Sequence, residues 1–245
     1  MSTAIIVQAR MSSTRLPGKI MKEVLGKTLL EYQLERLARV ESADKVVVAT
    51  TTNKSDTPIV DLCQRLGVFC FRGSENDVLA RYYGAATEYK ADMVVRITSD
   101  CPLIDPDVVD QVITYYLIHK SEYDYVSNTF PELTYPRGMD TEVFSYQVLE
   151  EAFLEAVDQP EREHVTIFIK RRLERYRIMN LPYYKDYSYY RWTVDTPEDF
   201  ELIKRLLTEL YTVNPQFSLE DCLSLLEKYP EWTEINARIQ QKLVK

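Results

Sequence analysis

The segment Gln8-Ala9-Arg10-Met11-Ser12-Ser13-Thr14-Arg15-Leu16-Pro17-Gly18-Lys19 carries three cations, Arg10, Arg15 and Lys19, with Ser12, Ser13 and Thr14 between them. Guanidinium forks, an ammonium and hydroxyl donors within one loop suit a polyphosphate. The same spacing also suits a basic surface loop making ordinary ion pairs. Asp100, in Thr98-Ser99-Asp100-Cys101-Pro102, is a candidate ligand for Mg²⁺, which takes one or two carboxylates plus substrate phosphates. Its alternative role is to cap the helix that Pro106 opens. Asp105-Pro106-Asp107 spells a DxD by letters, but proline in a first helical turn makes capping by Asp105 the better explanation. Asp195, after Trp192-Thr193-Val194, reads on its own as another helix start.

Other phosphate and metal chemistries are excluded by counting. The six glycines stand at 18, 26, 67, 73, 84 and 138, so GxGxxG cannot be written, and the Gly-Lys pairs at 18 and 26 have Ser13 and Met21 where a P-loop needs glycine. His119 and His164 are too far apart for an HExxH zinc site. Thirty basic and 38 acidic residues give a net charge of −8, against broad binding of nucleic acid. No apolar run approaches the ~18 residues of a membrane span. Cys63, Cys70, Cys101 and Cys222 form no CxxC pair, and Met1-Ser2-Thr3 opens no secretory pattern, so they are expected as reduced thiols in a cytoplasmic protein.

The elements that must position these groups alternate. Apolar runs at 4–8, 45–50, 68–71 and 93–98 read as buried strands, with helices between them. One helix carries Leu30, Leu34 and Leu37; Asp56 and Pro58 start a second, which runs to Gly67; others span 75–90 and run from Pro106 with Val108, Val109, Val112, Ile113 and Tyr116 inward. This rhythm predicts an α/β fold, three layers with a mostly parallel sheet and helices on both faces, whose ligands bind beyond the C-terminal strand ends. Asp100 then faces the same crevice as the 8–19 loop. Further on, a strand is expected at 124–128, helices at 146–157 and 160–173, a strand at 191–195, and a helix from Pro197 carrying Phe200, Ile203, Leu206 and Leu210. Two amphipathic helices follow Asn214, the last bearing Ile235, Ile239 and Leu243. Five tyrosines between 183 and 190 suit either a subunit contact or packing within the monomer. The expected division is 1–212 for the main domain, with a looser segment at about 124–190, and 213–245 as a helical extension.

Four ordered motifs now resemble a known family: Ser13-Thr14-Arg15-Leu16-Pro17-Gly18-Lys19, Ser99-Asp100-Cys101-Pro102-Leu103-Ile104, Pro136-Arg137-Gly138-Met139-Asp140-Thr141-Glu142 and Asp195-Thr196-Pro197-Glu198-Asp199. They are similar to the signatures of sugar-activating cytidylyltransferases of the CMP-KDO synthetase and acylneuraminate type. The stretches Gln8-Ala9-Arg10-Met11, 72–82 and Glu163-His164-Val165-Thr166 most resemble the spore-coat polysaccharide biosynthesis protein F branch. The resemblance implies a nucleotide-diphospho-sugar transferase (GT-A-like) fold and transfer of CMP from CTP to a sugar, with release of pyrophosphate. It implies that Arg10, Arg15 and Lys19, with Ser12 and Ser13, meet the triphosphate. Asp100 and Asp195 would hold Mg²⁺, Gln8 and Ala9 would lie along the nucleoside, and Arg137, Asp140, Glu142 and possible substrate contact His164 would face the acceptor. A homodimer is also implied, with about 124–190 as the acceptor and dimer segment. The chain departs from CMP-KDO synthetases at Ser99-Asp100-Cys101-Pro102, where they have Gly-Asp-Glu-Pro, and at Gln8, where they have proline. The rival readings are a glycosyltransferase with a nucleotide-sugar donor, and a non-catalytic nucleotide-binding protein of a polysaccharide pathway.

Overall fold

The computed structural model describes residues 1–240. In chain order its elements are β1 Thr3–Gln8, β2 Glu23–Val24, β3 Lys27–Thr28, α1 Leu29–Leu37, β4 Lys45–Thr51, α2 Thr57–Leu66, β5 Phe69–Gly73, α3 Val78–Glu88, β6 Met93–Thr98 and α4 Pro106–His119. Then come β7 Tyr125–Ser127, β8 Glu142–Ser145, α5 Tyr146–Glu155, α6 Gln159–Glu163, α7 Ile167–Lys170, β9 Ile178–Asn180, α8 Pro197–Val213 and α9 Leu219–Lys228.

Seven strands form one sheet in the order β5-β4-β1-β6-β8-β7-β9, while β2 and β3 make a separate ribbon. Strand β1 is parallel to both β4 and β6, and the only direction reversals in the large sheet are at β8, antiparallel to β6 and β7. The side-chain alternation of β1 explains the layering. Ile5 and Val7 pack with Leu30, Leu34, Ile59, Leu62 and Val109 on one face, whereas Ala4 and Ile6 pack with Leu79, Tyr82, Leu149 and Phe168 on the other. A third cluster joins Trp192, Tyr135 and Tyr32 to Leu202, Leu206, Leu219 and Leu223, seating α8 and α9. The chain therefore has the expected mostly parallel, mixed sheet between helical layers. From β1 it winds outward through β4 to β5, then crosses back to β6 on the other flank of β1. That reversal makes the C-terminal end of β1 the switch point where such sheets open a crevice.

Four local expectations need correction. Residues 191–195 are extended but form no strand: Trp192 donates to the Arg137 carbonyl, Val194 to the Asp100 carbonyl and the Asp195 amide to the Asp199 carboxylate, so successive amides serve different segments. Only an isolated bridge, Arg137 to Arg191, remains. The 160–173 helix is broken in two by Val165, a β-branched residue with φ of 53°. In the tail, 230–235 forms a 3-10 turn after α9 instead of a second α-helix, Ile239 lies in no helix, and Leu243 is outside the described residues. The 75–90 helix starts at Val78, because the Asp77 carboxylate caps it by accepting from the Ala80 amide at 2.8 Å. Among the tyrosines, Tyr183, Tyr187 and Tyr190 step inward toward Trp192, while Tyr184 and Tyr189 stay exposed.

Candidate active site

The 9–19 loop leaves β1 at the switch point and is pinned from both ends. Ala9 donates to the Ala49 carbonyl at 3.1 Å, and Gly18, at φ 65°, donates back to the Met11 carbonyl at 3.1 Å. The second contact folds the loop on itself and requires the left-handed conformation that glycine adopts freely. Its middle is held by Asp56, which is almost fully buried and accepts from the Met11 amide at 2.8 Å, from the Thr50 and Thr51 hydroxyls and from the Thr51 amide. Asp56 thus ties the loop to the end of β4 and makes no side-chain cap on α2. Glu75 adds a second tie, accepting from Ser12 Oγ at 2.9 Å and Asn53 Nδ2 at 2.6 Å.

Two further segments converge on the loop. Lys19 Nζ donates to Asp100 Oδ2 at 3.1 Å and to Asp195 Oδ1 at 2.7 Å. Asp195 Oδ2 meets Arg15 at 2.9 Å and Arg191 at 2.7 Å. Asp100 comes from the turn after β6, and its other oxygen accepts from the Thr98 hydroxyl at 2.7 Å. The backbone bond from Val194 to Asp100 is what brings Asp195 beside it. Asp105 does cap α4, through Asp107 N at 2.8 Å, and also accepts from Leu219 N.

The electrostatics follow from this pairing. Burial alone would lower the Lys19 pKa, but Asp100 and Asp195 outweigh it and raise the value. Burial would raise the Asp100 carboxyl, yet the nearby ammonium of Lys19 and the Thr98 hydroxyl pull it down to about 2. Both partners are charged at neutral pH. Arg10 is exposed, Ser13 Oγ accepts weakly from Leu16 N at 3.4 Å, and Ala9 is buried. The Gln8 side-chain oxygen, at the end of β1, and the Thr193 hydroxyl, beside Asp195, are buried without a hydrogen-bond partner. Such polar atoms are costly unless a ligand or water completes them.

The residues expected around an acceptor divide. Arg137 is half-buried on the bridge to Arg191, and Asp140, held by the Gly138 amide at 3.2 Å, has a raised pKa because it is buried near Glu142 and Asp100. Glu142 is buried among protein partners. It is 3% exposed on β8 and accepts from Arg96, Tyr125, Thr166 and Lys170. Burial would raise its carboxyl, but Lys170 and Arg96 hold it well below the usual carboxylate range. His164 is half-buried just before the strained Val165. The sequence singles out none of Asp56, Glu75, Arg191 and Asp199: Asp56 reads as a helix start, Arg191 as a strand residue, and Glu75 and Asp199 only as parts of motifs.

Among the described residues, no group of three or more His, Cys, Asp or Glu is arranged to hold a metal alone, and no helix is long and apolar enough to cross a membrane. A family model described as cytidylyltransferase matches residues 4–224. The chain is 38% identical over 239 residues to an uncharacterized protein of Methanocaldococcus jannaschii, covering 97% of this chain and 95% of that one. It is 31% identical over 233 residues to the spore coat polysaccharide biosynthesis protein SpsF of Bacillus subtilis, covering 92% and 94%. Among solved structures, a cytidylyltransferase from Leptospira borgpetersenii serovar Hardjo-bovis superposes with a TM-score of 0.91 at 35% identity, covering 99% of both chains.

Proposed function

The chain belongs to the cytidylyltransferase family, and from that premise we propose that it transfers CMP from CTP to a sugar, in particular a sugar acid, releasing pyrophosphate. The observation that carries this reading is the convergence of Lys19, Asp100, Asp195 and Arg15 at the switch point of the sheet. A sugar oxygen attacks the α-phosphorus of CTP, forming the new P–O bond as the bond to the β-phosphate oxygen breaks; pyrophosphate leaves and the sugar proton passes to solvent. Such a transfer needs positioning and charge neutralisation more than a covalent nucleophile. Arg10, Arg15 and Lys19 supply cations to the triphosphate, Ser12 and Ser13 supply donors, and Gln8 and Ala9 line the nucleoside.

The donor set suits Mg²⁺. Oxygens of two carboxylates from different segments already aim at one cation, Lys19, and Mg²⁺ takes one or two such carboxylates together with substrate phosphates. Asp100 and Asp195 would hold the ion, which would neutralise charge on the triphosphate. Arg137, Asp140 and His164 are the residues we place toward the acceptor, with Glu142 supporting the floor beneath them. We place this chemistry in residues 1–212, treat 213–245 as an extension, and assign the enzyme to cytoplasmic synthesis of a surface polysaccharide, as the name of SpsF suggests for that relative. Exposed Tyr184 and Tyr189 support a homodimer built on the 124–190 segment.

The test is thermal shift with CTP and Mg²⁺ against UDP- and GDP-sugars, since a ligand binding only the native state raises the melting temperature. CTP should give the largest rise, and a larger rise with a nucleotide sugar would favour a glycosyltransferase. Pyrophosphate release should then be lost in Asp100→Asn and Asp195→Asn with folding intact. Full turnover in both variants would remove the metal assignment.

A further inference from the structure

We propose that Asn236, beyond the end of the family match at residue 224, is a positioning residue for the Asp195 carboxylate. The inference rests on the reading of Asp195 as a ligand of the cation that accompanies CTP. Asn236 is 4% exposed and gives both of its amide protons to the site's support: Nδ2 donates to the Arg191 carbonyl at 2.8 Å and to Asp199 Oδ1 at 2.9 Å. Asp199, fully buried, in turn accepts from Arg191 Nε at 3.0 Å through Oδ1, and from the amides of Asp195 at 2.9 Å and Thr196 at 3.1 Å through Oδ2. Arg191 closes the circuit by donating to Asp195 Oδ2 at 2.7 Å.

The consequence is that Asp195 is held twice over, by its own backbone amide and by its carboxylate, through two groups that Asn236 clamps. The segment matters because residues 191–195 belong to no sheet ladder. Backbone bonds from Trp192 to Arg137 and from Val194 to Asp100 hold the segment up to Val194, and the clamp from the C-terminal segment adds the hold on Asp195 itself. An aspartate at 236 would be nearly the same size but would face the Asp199 carboxylate and the Arg191 carbonyl with acceptors only. A carboxylate ligand whose orientation is lost costs metal affinity, by about tenfold or more when an outer hydrogen-bond partner is removed.

The full-length chain is compared with Asn236→Ala, Asn236→Asp and Asn236→Ser by calorimetric titration of CTP, once with Mg²⁺ and once with EDTA. The expected result is a Kd for CTP weakened about tenfold in Mg²⁺ for the alanine and aspartate variants and unchanged within about twofold in EDTA. The serine variant keeps one donor, should fall between, and carries the test if the other two do not fold. A purely structural role would weaken both titrations alike, and that result, or no change in either, overturns the inference. Asp195→Asn separates the two layers of the argument. If it keeps the Mg²⁺-dependent part of CTP affinity, the ligand reading of Asp195 has failed. If it loses that part while the Asn236 variants keep it, only the positioning role has failed.

Discussion

Replacing Glu142 by glutamine should cost about 3–5 kcal/mol of stability at neutral pH, because it removes the anion from a buried pair while leaving its cations in place. The magnitude comes from the geometry around one carboxylate. Lys170 lies 2.7 Å from Oε1, Arg96 pairs with Oε2, and the Tyr125 and Thr166 hydroxyls donate to Oε1. Both cations are themselves mostly buried, so water replaces little of what is lost. For a domain of this size, a loss of 3–5 kcal/mol lowers Tm by roughly 6–20 °C. Urea titrations at several pH values provide the assay. The folded carboxyl is held below its usual range, so its contribution is fully present above about pH 4.5 and is lost as the pH falls toward the folded value. The gap between the parent and Glu142→Gln should therefore narrow in acid. A loss below about 1 kcal/mol at pH 7, within the range of an exposed pair, or a gap of the same size at pH 7 and pH 3, would refute the buried-hub account.

Three other outcomes are expected. Asp56→Ala should raise the KM for CTP by about tenfold in steady-state assays, since losing the acceptor for Met11, Thr50 and Thr51 frees the loop carrying Arg10, Arg15 and Lys19, at about 1–3 kcal/mol for the donors left unpaired. Gly138→Ala should lower stability by more than about 1 kcal/mol in thermal melts. Gly138 has φ of 109°, and a Cβ there would stand 3.0 Å from the Trp192 carbonyl carbon. Chelation with EDTA should abolish pyrophosphate release from CTP, and added Mg²⁺ should restore it; release that persists in EDTA would contradict the metal assignment.

The central parallel strands β1 and β4 were legible because they are largely buried on both faces and read as unbroken apolar runs, as in Ala4-Ile5-Ile6-Val7 and Val46-Val47-Val48-Ala49. The alignment of the 9–19 loop with Asp100 followed from those runs, since both leave neighbouring parallel strands at the same end. What escaped was short or nonlocal. Strand β8 begins with Glu142 in a polar motif, and that glutamate is compatible with burial because Arg96, on the neighbouring strand, and the sequence-distant Lys170 pair with it. Strand β9 has three half-buried residues, too few for a period to register. Trp192-Thr193-Val194 has strand-like residues, but the amides of Trp192, Val194 and the following Asp195 go to Arg137, Asp100 and Asp199 in turn, which local pattern cannot encode. Asn236 and Asp199 meet across 37 residues of chain and carry no motif that joins them.

The most direct measurement is a crystal structure with CTP and Mg²⁺ bound. The account predicts the triphosphate at the C-terminal end of β1 within reach of Arg10, Arg15 and Lys19, with the cation between it and the carboxylates of Asp100 and Asp195. In that complex Lys19 Nζ should have moved from the two carboxylates to a phosphate oxygen. A triphosphate bound elsewhere, or bound there with Lys19 still bridging Asp100 and Asp195 and no cation on either, would contradict it.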